Sequence, residues 1–228
     1  MHKKKFDLII FDLDGTLYPK KKEISRAFRK GAAKLVSRIE KVEFEEAVGI
    51  IENRKEKLGH RRNGKVTYTL TLFTYWNVSI LDYAKAVSNS IKNLDRIVEE
   101  DKYAINALRK IVNNYSIFLY TTNNDILGER ILKACNMAQF FTEDRRFTFS
   151  SIAELNIEEN EIIDYIKPGK KGFEYILKQE NADYEDCLMV GDSATSDIKP
   201  AEKLGMKTYH ITSRPDLYNL PAWLGLEG

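Results

Sequence analysis

Two short stretches carry the residue types best suited to chemistry. In DLDGTLYP, Asp12 and Asp14 stand two apart, with Gly15 and Thr16 behind them. In GDSATSD, Gly191 is followed by Asp192, Ser193 and Asp197. Each stretch follows an apolar run that reads as a buried strand. Alternate residues of an extended chain project the same way, so Asp12 and Asp14 would leave their strand together. Crowded carboxylates repel, which raises a pKa or demands a cation. If the two strands are neighbours, Asp12, Asp14, Asp192 and Asp197 converge. Four hard oxygen donors with no histidine or cysteine nearby favour Mg²⁺ over zinc, and Mg²⁺ uses a few carboxylates, waters and a substrate phosphate.

Other polar groups suit a phosphoryl group. The run SIFLYTTNND ends in Thr121, Thr122, Asn123 and Asn124, hydroxyls and backbone N–H groups ahead of a helix N-terminus. In YIKPGKKGF, the Pro168–Gly169 turn sets Lys167 just before a helix starting near Lys170. A lysine there offsets excess acid, with Lys170 and Lys171 as competitors. A carboxylate can attack phosphorus to give an aspartyl-phosphate. A second carboxyl can protonate the leaving oxygen and then deprotonate a water. Each residue also has an ordinary reading. The acids can be solvated turn residues, Thr122 and Asn123 a helix N-cap with Thr121 as rival by one register step, and Asp197 a cap for a helix beginning at Ile198.

The elements that must position these groups are legible. Phe6–Phe11, Ser116–Tyr120, Cys187–Val190 and Lys207–Ile211 are strand signals, and Gln139–Thr142 is a weaker fifth. Helical periodicity links Ala104, Leu108 and Ile111; Leu127, Ile131 and Cys135; Phe173, Ile176 and Leu177; and Ile198, Ala201 and Leu204. Strand and helix alternating from residue 101 onward predict a parallel sheet with crossover helices on both faces, an α/β Rossmann-like fold. Lys20–Glu100 separates the first strand from the rest and is helical in pattern. Ile24, Phe28, Ala32, Leu35, Val36 and Ile39 share one face; Phe44, Ala47, Val48 and Ile51 a second; Tyr83, Ala84, Val87 and Ile91 a third. The expected organisation is a core of 1–19 and 97–228 with an inserted all-helical domain at 20–96.

Bulk properties narrow the class. A chain of 228 residues, 43% apolar, can fill a core. Lys and Arg number 36 against 34 Asp and Glu, a net charge of +2, so nothing global points to nucleic acid or an anionic membrane. The two cysteines, Cys135 and Cys187, fall among apolar neighbours and fit a reducing compartment. The start MHKKKFDLIIF is basic then apolar, but its apolar run is short and broken by Asp7 and Asp12, unlike a signal peptide. No run approaches the roughly 20 apolar residues of a membrane span. A cytoplasmic protein, monomeric or weakly dimeric, is the expectation.

In order along the chain, DLDGT (Asp12–Thr16), TN (Thr122–Asn123), KP (Lys167–Pro168) and GDSATSD (Gly191–Asp197) resemble the motifs of the haloacid dehalogenase-like superfamily. The likeness covers Phe6–Thr16 and Asp101–Ile211. It implies that Asp12 is the nucleophile and Asp14 the general acid/base, whose backbone carbonyl also meets Mg²⁺. Thr122 and the Asn123 amide would hold the phosphoryl group, and Lys167 would steady both it and the nucleophile. Asp192 would be a metal ligand; Asp197 would support the metal through water or pair with Lys167. Dehalogenases of the superfamily lack the second acid of the first motif, so Asp14 implies phosphate chemistry. The helical insert matches the superfamily's cap, with substrate entering between core and cap. The first motif, the insert length and NLDRIVEEDKYAINALRKI are similar to a pyrimidine 5′-nucleotidase-like branch. The expected activity is Mg²⁺-dependent hydrolysis of a small phosphorylated metabolite. A phosphomutase on the same scaffold and a non-catalytic regulator are the alternatives. The basic loop GHRRNGK (Gly59–Lys65) could hold an anionic substrate or be a solvated connection. Tyr68, Phe73, Tyr75 and Trp76 fit packing within the insert better than stacking on a base.

Overall fold

Strands with no polar alternation must be covered on both faces, and the computed structural model, which describes residues 5–61, 66–155, 157 and 161–226, buries the central strands in this way while the edge strand Lys207–His210 stays partly exposed. Five strands, β1 (Leu8–Phe11), β2 (Ser116–Tyr120), β3 (Arg146–Phe147), β4 (Cys187–Gly191) and β5 (Lys207–His210), form one parallel sheet in the order β3-β2-β1-β4-β5. Ile9, Ile10, Phe11, Leu188, Met189 and Val190 at its centre have no exposed surface. The chain steps outward from β1 to β3, then returns past β1 to β4 and β5. Right-handed crossovers running in opposite directions set their helices on opposite faces of the sheet. Phe11 lies level with Leu119 on one side and Val190 on the other. The exits of β1 and β4 are therefore adjacent, at the point where strand order reverses and ligands bind in open α/β sheets.

The chain divides into two compact units, one running to Lys20 and resuming at Val98, the other spanning Lys21–Ile97. The second is all helical: α1 (Lys22–Glu40), α2 (Phe44–Arg61), α3 (Tyr68–Trp76), α4 (Ile80–Ser88) and the single turn α5 (Leu94–Ile97). Helix α1 packs on α2 and α4. Ala27, Ala32, Ala33 and Val36 line its inner face, and Tyr83 of α4 donates its hydroxyl to the Phe28 carbonyl at 2.9 Å. Helix α3 has no clean 3.6-residue apolar stripe, which hid it from the periodicity. Thr67 caps it, and its aromatics serve packing: Tyr68 donates to Glu52, Trp76 to Glu40, and Arg54 lies over the Tyr75 ring. Ile91 lies beyond the end of α4, and residues 62–65 of the basic loop lie outside the described residues.

The core unit adds α6 (Lys102–Val112), α7 (Asp125–Ala134), α8 (Phe149–Glu154), α9 (Ile162–Tyr165), α10 (Lys171–Glu180), α11 (Lys199–Lys203) and α12 (Arg214–Trp223). One expectation is corrected. Gln139–Thr142 is not a strand; Ala138–Phe140 is a 3₁₀ turn, and the strand beside β2 is Arg146–Phe147. Phe141 instead leaves the turn as a fully buried plug, edge-on to Phe11 with ring centroids 5.9 Å apart. A two-residue strand opening with a charge has no periodicity to read. Beyond β5 comes the helix α12. Pro215 sits in its first turn, where a missing N–H removes no bond. The Asp216 carboxylate accepts the N–H groups of Ser213 and Thr212 at 2.7 and 2.8 Å. Leu217 and Leu220 are fully buried, worth roughly 1.5–3 kcal/mol each, while Trp223 stacks on Phe6 and stays 41% exposed. Among the described residues no helix is long and apolar enough to cross a membrane. Cys135 and Cys187 are buried and unbridged.

Candidate active site

The first carboxylates are set by a closed turn. Asp12 continues β1, and its N–H donates to the Val190 carbonyl of β4 at 2.9 Å. The chain then doubles back: the N–H groups of Thr16 and Leu17 donate to the Leu13 carbonyl, and that of Gly15 to the Tyr18 carbonyl. Gly15 stands at φ +99°, and a Cβ there would lie 2.6 Å from an Asp192 carboxylate oxygen. Only glycine suits both the left-handed backbone and the close approach. The turn is also braced from behind. Arg214 of α12 donates to the carbonyls of Thr16 (2.7 Å) and Leu17 (3.2 Å), while its guanidinium pairs with Asp101 at 2.8 Å.

Beyond β4, Gly191 leaves room for Asp197: a Cβ at Gly191 would stand 2.5 Å from that residue's Cβ. One π turn, Ala194–Ile198, swings Asp197 back under the strand, 1% exposed, where its Oδ2 accepts the Ser193 N–H at 3.0 Å. Asp197 does not cap α11; Ile198 holds that position, with no side-chain cap bond.

Single oxygens of Asp12, Asp192 and Asp197 lie within 4.8 Å of one another. The sheet thus brings together three of the four acids expected at the metal. The Asp14 carboxylate does not join this trio. Its Oδ1 accepts the Tyr18 hydroxyl and its Oδ2 accepts Asn123 Nδ2 at 3.3 Å. Lys167, 7% exposed, is the lysine at the site: its Nζ donates to Asp12 Oδ1 and Asp197 Oδ1, each at 2.6 Å. Lys170 and Lys171 pair instead with Glu174 and Glu161. Lys20, a residue to which the sequence reading assigned no role, reaches Asp192 Oδ2 at 2.5 Å.

At the exit of β2, Thr121 and Asn123 are buried and Thr122 between them is more open. The Asn123 N–H donates to Thr121 Oγ1 at 3.1 Å, and the helix cap is Asn124, which accepts from the Leu127 N–H. The N-cap reading of Thr122 and Asn123 is therefore off by one residue, and the Asn123 side chain is committed to Asp14.

Charge at the site is unbalanced. Burial pushes Asp12 up to about 7, with Asp197 and Asp14 adding to the shift and Lys167 opposing it. Burial also raises Asp14, against the hydrogen bonds from Tyr18 and Asn123. For Lys167, burial alone would lower the pKa, but Asp12 and Asp197 outweigh it and hold the ammonium above its usual range. Four acids face two lysines. A hard divalent cation beside the trio would meet this excess, and an all-oxygen donor set suits Mg²⁺. Tyr18 and Lys20 are the site residues that sequence reasoning missed. Both lie in or beside DLDGTLYP, but only the closed turn shows what they touch.

A family model described as a haloacid dehalogenase-like hydrolase matches residues 6–205. Similar solved structures include a HAD phosphatase from Thermococcus onnurineus, 19% identical over 97% of this chain and 99% of that one, with a TM-score of 0.54. The HAD-hydrolase YfnB from Bacillus subtilis, bound to magnesium, is 16% identical over 94% and 98%, with a TM-score of 0.55. A β-phosphoglucomutase from Clostridium difficile is 16% identical over 93% and 87%, with a TM-score of 0.51. At these identities the likeness to the solved structures is one of fold.

Proposed function

The chain belongs to the haloacid dehalogenase-like hydrolases, and on that premise we propose that it is a Mg²⁺-dependent phosphatase acting on a small phosphomonoester, such as a nucleoside monophosphate or sugar phosphate. The observation that carries the reading is the buried Asp12 carboxylate, bonded to Lys167 and two residues from a second, separately held acid.

In the first half-reaction an Asp12 oxygen attacks phosphorus, the bond to the leaving oxygen breaks, and the Asp14 carboxyl gives its proton to that oxygen. In the second, Asp14 takes a proton from a water whose oxygen attacks the aspartyl-phosphate. The bond to Asp12 breaks and inorganic phosphate departs. Lys167 keeps Asp12 oriented and offsets phosphoryl charge; the Thr122 hydroxyl donates to a phosphoryl oxygen, and the Asn123 N–H joins it by exchanging its bond to Thr121 Oγ1 for one to the phosphoryl group. Asp12, Asp192, Asp197 and the Asp14 carbonyl would hold Mg²⁺, which when bound offsets charge on the transferring group. The magnesium bound to the Bacillus subtilis structure of the same fold agrees with this. The helical unit Lys21–Ile97 is the proposed cap that selects the leaving group.

Phosphate release from a panel of nucleoside monophosphates, sugar phosphates and an aryl phosphate tests the reading. Turnover is expected with Mg²⁺ and none with EDTA. Asp12→Asn should lose at least about 10⁴-fold in kcat with its circular dichroism unchanged; an active Asp12→Asn removes it as nucleophile. Release that requires an added sugar bisphosphate would favour a phosphomutase. No release from any ester would favour a non-catalytic regulator.

A further inference from the structure

Asp14 is gripped on both oxygens by groups that carry no charge. The Tyr18 hydroxyl donates to Oδ1 and the Asn123 carboxamide to Oδ2. Tyr18 is 2% exposed, and its carbonyl accepts the Gly15 N–H at 3.0 Å, so the ring is anchored by the same turn that carries Asp14. We propose that Tyr18 is a positioning residue for Asp14, aiming its carboxyl at the oxygen that leaves the substrate. This rests on the phosphatase reading above.

A carboxyl on one methylene turns about its last bond with only a broad, two-fold preference. Donors from two separate segments, one on each oxygen, remove that freedom. They occupy two of the roughly four lone-pair positions and leave the others for the proton that Asp14 exchanges. A phenol suits the task because it donates without adding charge, so it can serve both the acid and the base form. A phenol with its ordinary pKa of about 10 keeps its proton at neutral pH, so it stays a donor. The step served is the first half-reaction: the Asp12–phosphorus bond forms, the phosphorus–oxygen bond breaks, and its electron pair goes to the leaving oxygen, which takes the Asp14 proton. The need for that proton grows with the basicity of the leaving oxygen. The ordinary alternative is a core tyrosine whose hydroxyl has merely found a partner. Losing the hydroxyl would then slow every substrate alike.

The test compares wild type and Tyr18→Phe across dinitrophenyl, nitrophenyl, phenyl and alkyl phosphates. The measure is kcat/KM, which reports steps up to departure of the leaving group. Tyr18→Phe should stay within about three-fold of wild type on the dinitrophenyl ester and fall about ten- to thirty-fold on the alkyl ester, the scale of one hydrogen bond to an ionisable group. In an Asp14→Ala background the same substitution should change nothing along the series. Asn123→Leu, which removes the donor on the other oxygen, should steepen the dependence in the same way, and it serves if Tyr18→Phe does not fold. A uniform loss across the series, or an effect that persists without Asp14, overturns the inference while leaving the phosphatase reading intact. A wild type inactive on every ester sinks that reading, and this inference with it.

Discussion

The exits of β1 and β4 both end a buried strand in carboxylates, yet the chain answers the charge differently at each. Beyond β4, Asp197 meets the Lys167 ammonium and Asp192 the Lys20 ammonium. Beyond β1, Asp14 meets a phenol and a carboxamide. Asp12 belongs to both regions, bonded to Lys167 on one oxygen and to the Thr16 hydroxyl on the other at 3.3 Å. An ammonium favours an anionic partner, whereas a neutral donor can accompany a carboxyl in either protonation state. On the proposed function, the β4 exit is fixed charge that holds a cation and the β1 exit a place where a proton comes and goes.

The largest break in this comparison is Lys167→Met. It strips Asp12 and Asp197 of a buried partner at one stroke, and urea denaturation should show a loss of about 3–5 kcal/mol. Because the variant leaves uncompensated acid at the trio of Asp12, Asp192 and Asp197, millimolar Mg²⁺ should recover part of that loss. An unchanged midpoint would mean the pair contributes nothing.

Next in size is the response of wild type to the ion. Binding only to the folded state at 100 times the dissociation constant adds about 2.7 kcal/mol, so the melting temperature should rise with Mg²⁺. Asp192→Asn should blunt the rise. A rise equal in both proteins would put the ion elsewhere than the β4 exit.

The smallest effect sharpens the other side. Asp101 caps α6 through Oδ1 and pairs through Oδ2 with Arg214, the residue that braces the turn beyond β1. Burial would raise its pKa, but the bonds from Arg214, Tyr218 and the Ala104 N–H outweigh that and hold it below the usual carboxylate range. A carboxylate depressed in the folded state stabilises above its unfolded pKa and loses that contribution as pH falls through the folded value. Asp101→Asn keeps the cap but not the charge. It should cost about 1 kcal/mol at neutral pH, given the exposure of the pair, and the gap to wild type should close below the unfolded carboxylate pKa of about 4. A gap that persists in acid would mean the charge is not what braces the turn.

Much of this was legible in the chain because it is local. Apolar runs ending in acids marked β1 and β4, and the Lys-Pro-Gly step singled out Lys167 from two neighbouring lysines. Where the reading failed, the deciding contact came from far away. Gln139–Thr142 had strand composition, but Phe141 was drawn into the core against Phe11, and the two residues Arg146 and Phe147, one charged and one apolar, took the sheet edge. Arg214 carries no signal in the sequence, yet burial of Leu217 and Leu220 holds α12 so that Arg214 props the turn beyond β1.

By itself the sequence determined the strand-and-helix alternation, the helical insertion, and which carboxylates leave which strands. These follow from side-chain period and turn chemistry within a few residues. Only the tertiary structure decided that Asp14 stands apart from the three acids beside it, held by Tyr18 and by Asn123 from another strand exit. It also set Lys20 and Lys167 as the partners of the rest. A carboxylate's partner depends on which donors the fold carries to within about 3 Å, and donors brought from distant strand exits leave no period in the chain.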